Sequence, residues 1–190
     1  MEWPLAWRSR WIWCGPPAIG PGTDGPRLLP DAADRVGLFR LRFDLAKRPP
    51  RALVRVTADS RYVLWVNGHE ACRGPIRAQP YRLHFDEADI APLLRPGLNV
   101  VAALVRFYGH ATPWWMPATP TYTLGAGGLL AEGWAGDADL ATGASWRATP
   151  LAGWQPSEPG GIGGLLAEQL DARRAPAGWR EPDFDDSAWG

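Results

Sequence analysis

Apolar and polar residues alternate along the middle of the chain, in GLFRLRFDLA (37–46), RALVRVTAD (51–59) and YRLHFDE (81–87). Successive side chains of a strand point to opposite faces, so this period of two predicts half-buried β-strands. The stretch RYVLWV (61–66) is apolar on both faces, and we expect both faces to be covered. NVVAALVRFY (99–108) is long, apolar and rich in valine, which indicates a central strand.

Turn-forming residues separate these strands. Asn67-Gly68 follows RYVLWV directly, and both residue types accept the positive φ of a type I′ hairpin turn. Helical spacing is confined to ADIAPLL (88–94). Weaker strands are predicted at three further stretches, residues 121–124, 127–134 and 145–151. Short strands between turn signals, with no long helical pattern, predict an all-β fold, an antiparallel β-sandwich.

The pattern divides the chain into three parts. Residues 1–36 are a Trp-rich segment expected to pack on the sandwich, and residues 37–151 form the sandwich itself. Residues 152–190 contain Gly-rich and polar loops and end with FDDSAW. The sequence pattern shows no compact element at this end that could bury Phe184 and Trp189. We therefore interpret the third part as a linker and the truncated start of a second, incomplete jelly-roll domain.

Charge and composition exclude several classes of partner. The 190 residues carry 20 basic and 20 acidic side chains, which argues against nucleic acid or an anionic membrane as partner. No apolar run approaches the ~20 residues that span a bilayer. The first residues lack a signal-peptide pattern, so we expect a cytoplasmic protein. Cys14 and Cys72 are interpreted as free thiols, because neither has a CxxC partner.

Tryptophan is the unusual component, with 12 copies against 4 Tyr and 5 Phe. Indole faces suit stacking on sugar rings, and they also suit a sandwich core. The candidate carbohydrate-binding residues are Tyr108, His110, Trp114 and Trp115, in a Pro-rich loop after the predicted central strand. Three roles stay open for this loop: sugar contact, packing against a neighbouring domain, and cover for the sandwich's own core.

The sequence offers no catalytic residues. Acid–base hydrolysis commonly uses two carboxyl groups on either side of the bond, and the nearest acidic pairs, at Glu87/Asp89 and Asp185/Asp186, lie where solvated loops or Asx turns are expected. Asp183 could join the second pair in a calcium site, but we favour caps of backbone N–H groups. The three histidines share no metal-ligand spacing. We therefore expect no metal and no cofactor.

Four stretches in order resemble the N-terminal region of bacterial α-L-rhamnosidases. They are ADSRYVLWVNGHEACRGP (58–75), ADIAPLLRPGLNVVAALV (88–105), SWRAT (145–149) and LDARRAPAGWREPDFDDSAW (170–189). RYVLWVNG and LLRPGLNVV also resemble accessory domains of β-galactosidase and β-glucuronidase relatives. FDDSAW is shared by many galactose-binding-like jelly rolls. LDARRAPAGW leading directly into FDDSAW favours the rhamnosidase group.

The resemblance implies a galactose-binding-like jelly roll that is an accessory domain of a glycoside hydrolase. In such enzymes an (α/α)-barrel carries the chemistry, so this chain alone is expected to be inactive. Its expected partners are the C-terminal catalytic domain and, through the parent enzyme, a rhamnose-containing glycan. Two alternatives stay open: a free-standing lectin-like module, and an accessory domain of a β-galactosidase- or β-glucuronidase-like enzyme.

Overall fold

The structure, a computed structural model, has two antiparallel sheets that enclose one core, as the alternation predicts. It describes residues 6–15, 19–20, 27–28, 34–76, 83–108, 127–157 and 167–190.

In the described residues, the larger sheet has five strands. They are β3 (Arg35–Leu45), β5 (Arg61–Val66), β6 (His69–Gly74), β8 (Gly97–Phe107) and β11 (Arg147–Pro150), in the spatial order β11-β3-β8-β5-β6. The long apolar strand β8 lies at the centre of this sheet, which confirms the prediction for residues 99–108. It pairs with β3 along its whole length, from Arg35 opposite Phe107 to Leu45 opposite Gly97.

The second sheet has four strands in the part of the chain that the structure describes. They are β4 (Leu53–Asp59), β7 (Asp86–Asp89), β9 (Gly128–Ala135) and β10 (Ala138–Asp139), in the order β10-β9-β4-β7. A separate two-stranded ladder joins β1 (Ile19–Gly20) and β2 (Arg27–Leu28). The described helices are two 3₁₀ turns, Ala91–Leu93 and Ala172–Arg174. The first lies where a turn of helix was predicted.

The core lies between the two sheets and is built from alternate residues of each strand. Phe39, Leu41 and Leu45 point into it from β3, and Tyr62, Leu64 and Val66 point into it from β5. The facing sheet contributes Val54, Val56, Ala58, Leu129 and Ala131. The period of two in the sequence therefore predicts the inner faces correctly.

Part of the outer face of the five-stranded sheet is also buried. Val36 and Leu38 of β3 form a second apolar cluster with Trp189, and Phe184 packs against it. The Trp179 ring meets the Trp65 ring of β5 edge-on, with centroids 5.5 Å apart. The expectation that both faces of RYVLWV are covered is confirmed. The expectation that nothing in the chain buries Phe184 and Trp189 is wrong, because the last residues fold back on this sheet.

The sequence places one strand incorrectly. Residues 81–87 were predicted as a strand with Leu83 and Phe85 on its apolar face, but in the described part pairing with β4 begins only at Asp86. Leu83 is 39% and Phe85 44% exposed. The alternation is present, but the ladder with β4 does not extend to Leu83 and Phe85, and both side chains lie outside the core.

The Asn67-Gly68 turn joins β5 to β6 with φ of +51° at Asn67 and +82° at Gly68, as a type I′ turn requires. The Asn67 side chain does more than turn the chain. Its Nδ2 donates to the Leu93 carbonyl oxygen at 2.9 Å, and its Oδ1 accepts from the Val100 N–H at 2.9 Å. The hairpin tip is thereby tied to the start of the central strand.

Replacement of Gly68 by valine is expected to lower the free energy of unfolding by about 1–2 kcal/mol, because a β-branched residue is strained at positive φ. Urea unfolding followed by tryptophan fluorescence measures the loss. Gly143→Val is the matched control, since Gly143 lies outside the left-handed region and has open space around it. Equal midpoints for Gly68→Val and the unmodified chain would contradict the assigned turn.

Candidate functional site

A buried arginine organises the outer face of the five-stranded sheet. Arg40 is 0% exposed, and its Nε donates to Asp186 Oδ2 at 2.8 Å. Its guanidinium also donates to the carbonyl oxygens of Trp179, Glu181 (3.0 Å) and Phe184 (3.2 Å). A buried cation is costly unless its donors are satisfied, and here the C-terminal segment supplies every acceptor named. The alternation in the sequence puts Arg40 on the polar side of a half-buried strand and does not predict its burial.

A pocket of about 440 Å³ opens beside this ion pair. Arg40 and Asp186 lie at its buried side, and strand β3 contributes Arg42, Phe43 and Asp44. The remaining lining residues come from three other segments, namely Leu98, Ser145, Arg147, Asp185 and Ser187. The pocket is therefore assembled from parts of the chain far apart in sequence, and sequence reasoning did not find it. The signal available in the sequence was that three charged residues, Arg40, Arg42 and Asp44, lie on the same face of one strand.

Three charged side chains of the pocket keep most of their hydrogen-bonding capacity. Arg42 is 40% exposed and reaches only the edge of the ion pair, with Nη1 3.8 Å from Asp186 Oδ1. Arg147 donates one bond, from Nη1 to the Trp189 carbonyl oxygen at 2.9 Å. Asp44 is exposed and has no hydrogen-bond partner among the described residues. These groups are available to a ligand.

The two adjacent aspartates of FDDSAW have different roles. Asp185 Oδ1 accepts from the Ser187 N–H at 2.9 Å, which confirms the predicted Asx turn and helps hold the pKa of Asp185 below its ordinary value. Asp186 was predicted as a second such cap, and this is wrong, because its carboxylate is buried against Arg40. Within the described ranges, no group of three or more His, Cys, Asp or Glu side chains is arranged to hold a metal ion.

The four-stranded sheet carries a second buried arginine on its outer face. Arg55 Nη2 lies 2.6 Å from Glu132 Oε1, with both side chains at most 3% exposed. The backbone N–H groups of Arg8 and Ser9 donate to Glu132 Oε2 at 3.0 and 3.2 Å. Burial alone would raise the pKa of Glu132, but these donors and Arg55 lower it. Residues 6–10 thus cover this ion pair.

Of the candidate sugar-binding residues, the structure describes Tyr108. It is half-buried, and the Arg106 guanidinium lies 5.0 Å from the centre of its ring. Arg106 also pairs with the buried carboxylate of Asp34 at 3.0 Å. His110, Trp114 and Trp115 lie outside the described residues, so their grouping with Tyr108 stays a prediction. Tyr108 is not among the residues that line the pocket.

Asp59, at the end of β4, is a buried carboxyl group. It is 1% exposed, its Oδ1 accepts from the Ser60 hydroxyl at 3.3 Å, and its Oδ2 has no hydrogen-bond partner among the described residues. Burial disfavours the charged form and raises its pKa to about 7.

No described helix is long and apolar enough to cross a membrane.

Comparisons with known proteins point to one family. The family model described as "Alpha-L-rhamnosidase N-terminal domain" matches residues 47–190. An α-L-rhamnosidase from Streptomyces avermitilis is 29% identical over 184 residues, which cover 90% of this chain and 17% of that protein.

Solved structures agree with the family model. The crystal structure of a GH78 family rhamnosidase from Bacillus sp. GL1 is 35% identical, with a TM-score of 0.74 over 97% of this chain and 18% of that one. A Pleurotus ostreatus lectin in complex with GalNAc shares the fold at 21% identity and a TM-score of 0.55, over 95% of this chain and 40% of that one. The chain thus spans less than a fifth of the length of the two rhamnosidases. It belongs to the α-L-rhamnosidase N-terminal domain family.

Proposed function

We propose that this chain is the non-catalytic N-terminal accessory domain of an α-L-rhamnosidase-like glycoside hydrolase. The observation that carries the proposal is the family match over residues 47–190, combined with coverage of less than a fifth of the rhamnosidases it resembles. The remaining four-fifths of such an enzyme would contain the catalytic domain. This domain would support that partner and contact the glycan substrate at its own surface.

The carboxyl groups of the described residues support the absence of catalysis. A glycosidase acid must be protonated near neutral pH and must reach the glycosidic oxygen. Among the residues described, Asp59 is the carboxyl group with a raised pKa, and at 1% exposure it cannot touch a substrate. Glu132, by contrast, is held ionised by Arg55. Neither environment suits the acid of an acid–base pair, since Asp59 is out of reach of a substrate and Glu132 is in a buried ion pair.

A free-standing lectin-like module is the alternative. The similarity to the lectin lies in the fold alone, at 21% identity, so it lends this function no direct support. The two functions differ in what the whole gene product does. An accessory domain predicts that the product of the whole reading frame hydrolyses α-L-rhamnosides, whereas a free-standing module predicts that it does not.

The chain alone is expected to release no aryl alcohol from an aryl α-L-rhamnoside, because the two carboxyl groups that glycoside hydrolysis needs are expected in the catalytic domain. The measurement is absorbance of the released alcohol over several hours, with a buffer blank and, as positive control, the product of the whole reading frame. Turnover by the chain that survives repurification would overturn the proposal. So would a whole reading frame whose product is inactive.

Asp59 is expected to make stability depend on pH. Its pKa is about 7 in the folded chain and near 3.8 when unfolded, so the folded state binds the proton more tightly. Stability from this group is therefore present below pH ~4 and is lost as pH rises to ~7, by at most about 4 kcal/mol.

Asp59→Asn should remove this loss while keeping the side chain's shape. Urea unfolding between about pH 4.5 and 7.5 should show a flatter stability profile for the variant than for the unmodified chain. Asp44→Asn, at an exposed aspartate, is the control. Parallel profiles for Asp59→Asn and the unmodified chain would show that Asp59 does not titrate in this range.

A further inference from the structure

We propose that the outer face of the four-stranded sheet is the surface on which the catalytic domain of the parent enzyme docks. The docking face consists of three aromatic side chains and the two arginines that stack on them, namely Trp7, Phe85, Trp134, Arg8 and Arg55. The inference rests on the proposed function, because it names the surface through which the accessory domain would meet its partner. It does not involve the loop after Tyr108, for which the sequence analysis left a docking role open.

Exposed apolar side chains lie at both edges of this face. Phe85 immediately precedes β7, at one edge of the four-stranded sheet, and is 44% exposed. Trp134 lies on β9, beside the opposite edge strand β10, and is 41% exposed. Trp7 contacts Phe85 and Arg8 contacts Trp134, so residues 6–10 link the two. Linked exposed apolar side chains of this kind mark an interaction site, whereas single ones do not.

The rings of the docking face are held in place before any partner arrives. The Arg55 guanidinium lies 4.1 Å from the centre of the Trp7 ring, and Trp7 meets Phe85 edge-on with centroids 5.6 Å apart. The Arg8 guanidinium lies 4.0 Å from the centre of the Trp134 ring. Fixed aromatic side chains lose little entropy on binding, and tryptophan and arginine are enriched among the residues that dominate protein interfaces.

The arginines of the docking face are neutralised within the domain. Arg8 Nη1 donates to Asp139 Oδ2 at 2.6 Å, and Arg55 pairs with the buried Glu132. Nucleic acid or an anionic membrane would need an excess of unpaired basic side chains, which these two do not supply. Aromatic rings backed by neutralised guanidinium groups suit an apolar protein surface, as found at the centre of protein interfaces.

The length of the relatives identifies the partner. This chain covers 17% of the Streptomyces avermitilis rhamnosidase and 18% of the Bacillus enzyme. In a parent enzyme of that length, more than four-fifths of the polypeptide lies outside this domain, and its surface is tethered within reach of the docking face. A tethered partner is present at a high effective concentration, so a small set of aromatic anchors is sufficient for docking.

The test compares hydroxyl-radical labelling of the chain alone with labelling of the product of the whole reading frame, read by mass spectrometry with a free peptide as dosimeter. Phe85 and Trp134 are expected to be labelled about fivefold more slowly in the whole product, because the core of an interface excludes solvent. Leu170 is the internal control, since it is 46% exposed and lies outside the docking face. Its labelling should be nearly equal in the two samples.

Two variants separate docking from folding. In the whole product, Phe85→Ser and Trp134→Ser should each lower the thermal midpoint of the accessory domain by about 2–4 °C, followed by hydrogen exchange in β8. The same changes should lower the midpoint of the chain alone by less, because both rings are partly exposed there. Leu170→Ser is the matched control and should show no such difference between the two samples.

Equal labelling of Phe85 and Trp134 in the two samples would overturn the inference. Protection of Leu170 to the same degree would also overturn it, because the shielding would then not be specific to this face. Self-association of the chain alone that Trp134→Ser abolishes would assign the face to a second copy instead, and binding to phosphatidylcholine vesicles that the same variant abolishes would assign it to a lipid surface.

The outcome for the docking face is distinguishable from that for the accessory function. A whole product that hydrolyses an aryl α-L-rhamnoside while Phe85 and Trp134 stay open to labelling removes the docking face and leaves the accessory function standing. An inactive whole product removes the accessory function, whatever the labelling shows.

Discussion

The burial of Arg40 is the constraint on which the outer half of this structure depends. A guanidinium that is 0% exposed must have its donors satisfied, or it would cost several kcal/mol. Its partners are Asp186 and three carbonyl oxygens between Trp179 and Phe184, about 140 residues further along the chain. The last residues must therefore lie on this sheet, and Trp189 and Phe184 complete the apolar cover around the charge.

The four-stranded sheet also has a buried arginine whose donors are satisfied, and here residues near the N-terminal end cover it. Arg55 and Glu132 form a buried pair there, and the backbone of Arg8 and Ser9 satisfies the second carboxylate oxygen. Among the described residues, each sheet thus carries one buried arginine on its outer face, covered by residues 6–10 on one sheet and by residues 179–189 on the other. The pocket depends on this arrangement, because Asp185 and Ser187 form one of its walls only while Asp186 is held against Arg40.

The strands were predictable because a period of two is a local property. The inner faces of β3, β4, β5 and β8 and the Asn67-Gly68 turn all agree with the sequence. The segments that cover the outer faces of the two sheets were not predictable in this way. Arg40 and Arg42 look alike in the alternating pattern, yet one is buried and the other is 40% exposed, and only a distant segment makes the difference. The same limit hid the pocket, whose residues come from four separate parts of the chain. It also left Leu83 and Phe85 assigned to a strand whose pairing with β4 begins only at Asp86.

A double-mutant cycle on Arg40 and Asp186 tests the central claim most directly. Arg40→Met, Asp186→Asn and the double variant would be unfolded in urea, and hydrogen exchange would follow the amides of residues 189 and 190, which bond to Asp186 and Ala148. Each single variant is expected to lose about 3–5 kcal/mol, with a coupling energy of about 2–3 kcal/mol and faster exchange at both amides. The exposed Arg173–Asp171 pair is the control and should show little coupling. Additive losses in the cycle, with unchanged exchange at residues 189 and 190, would contradict the account.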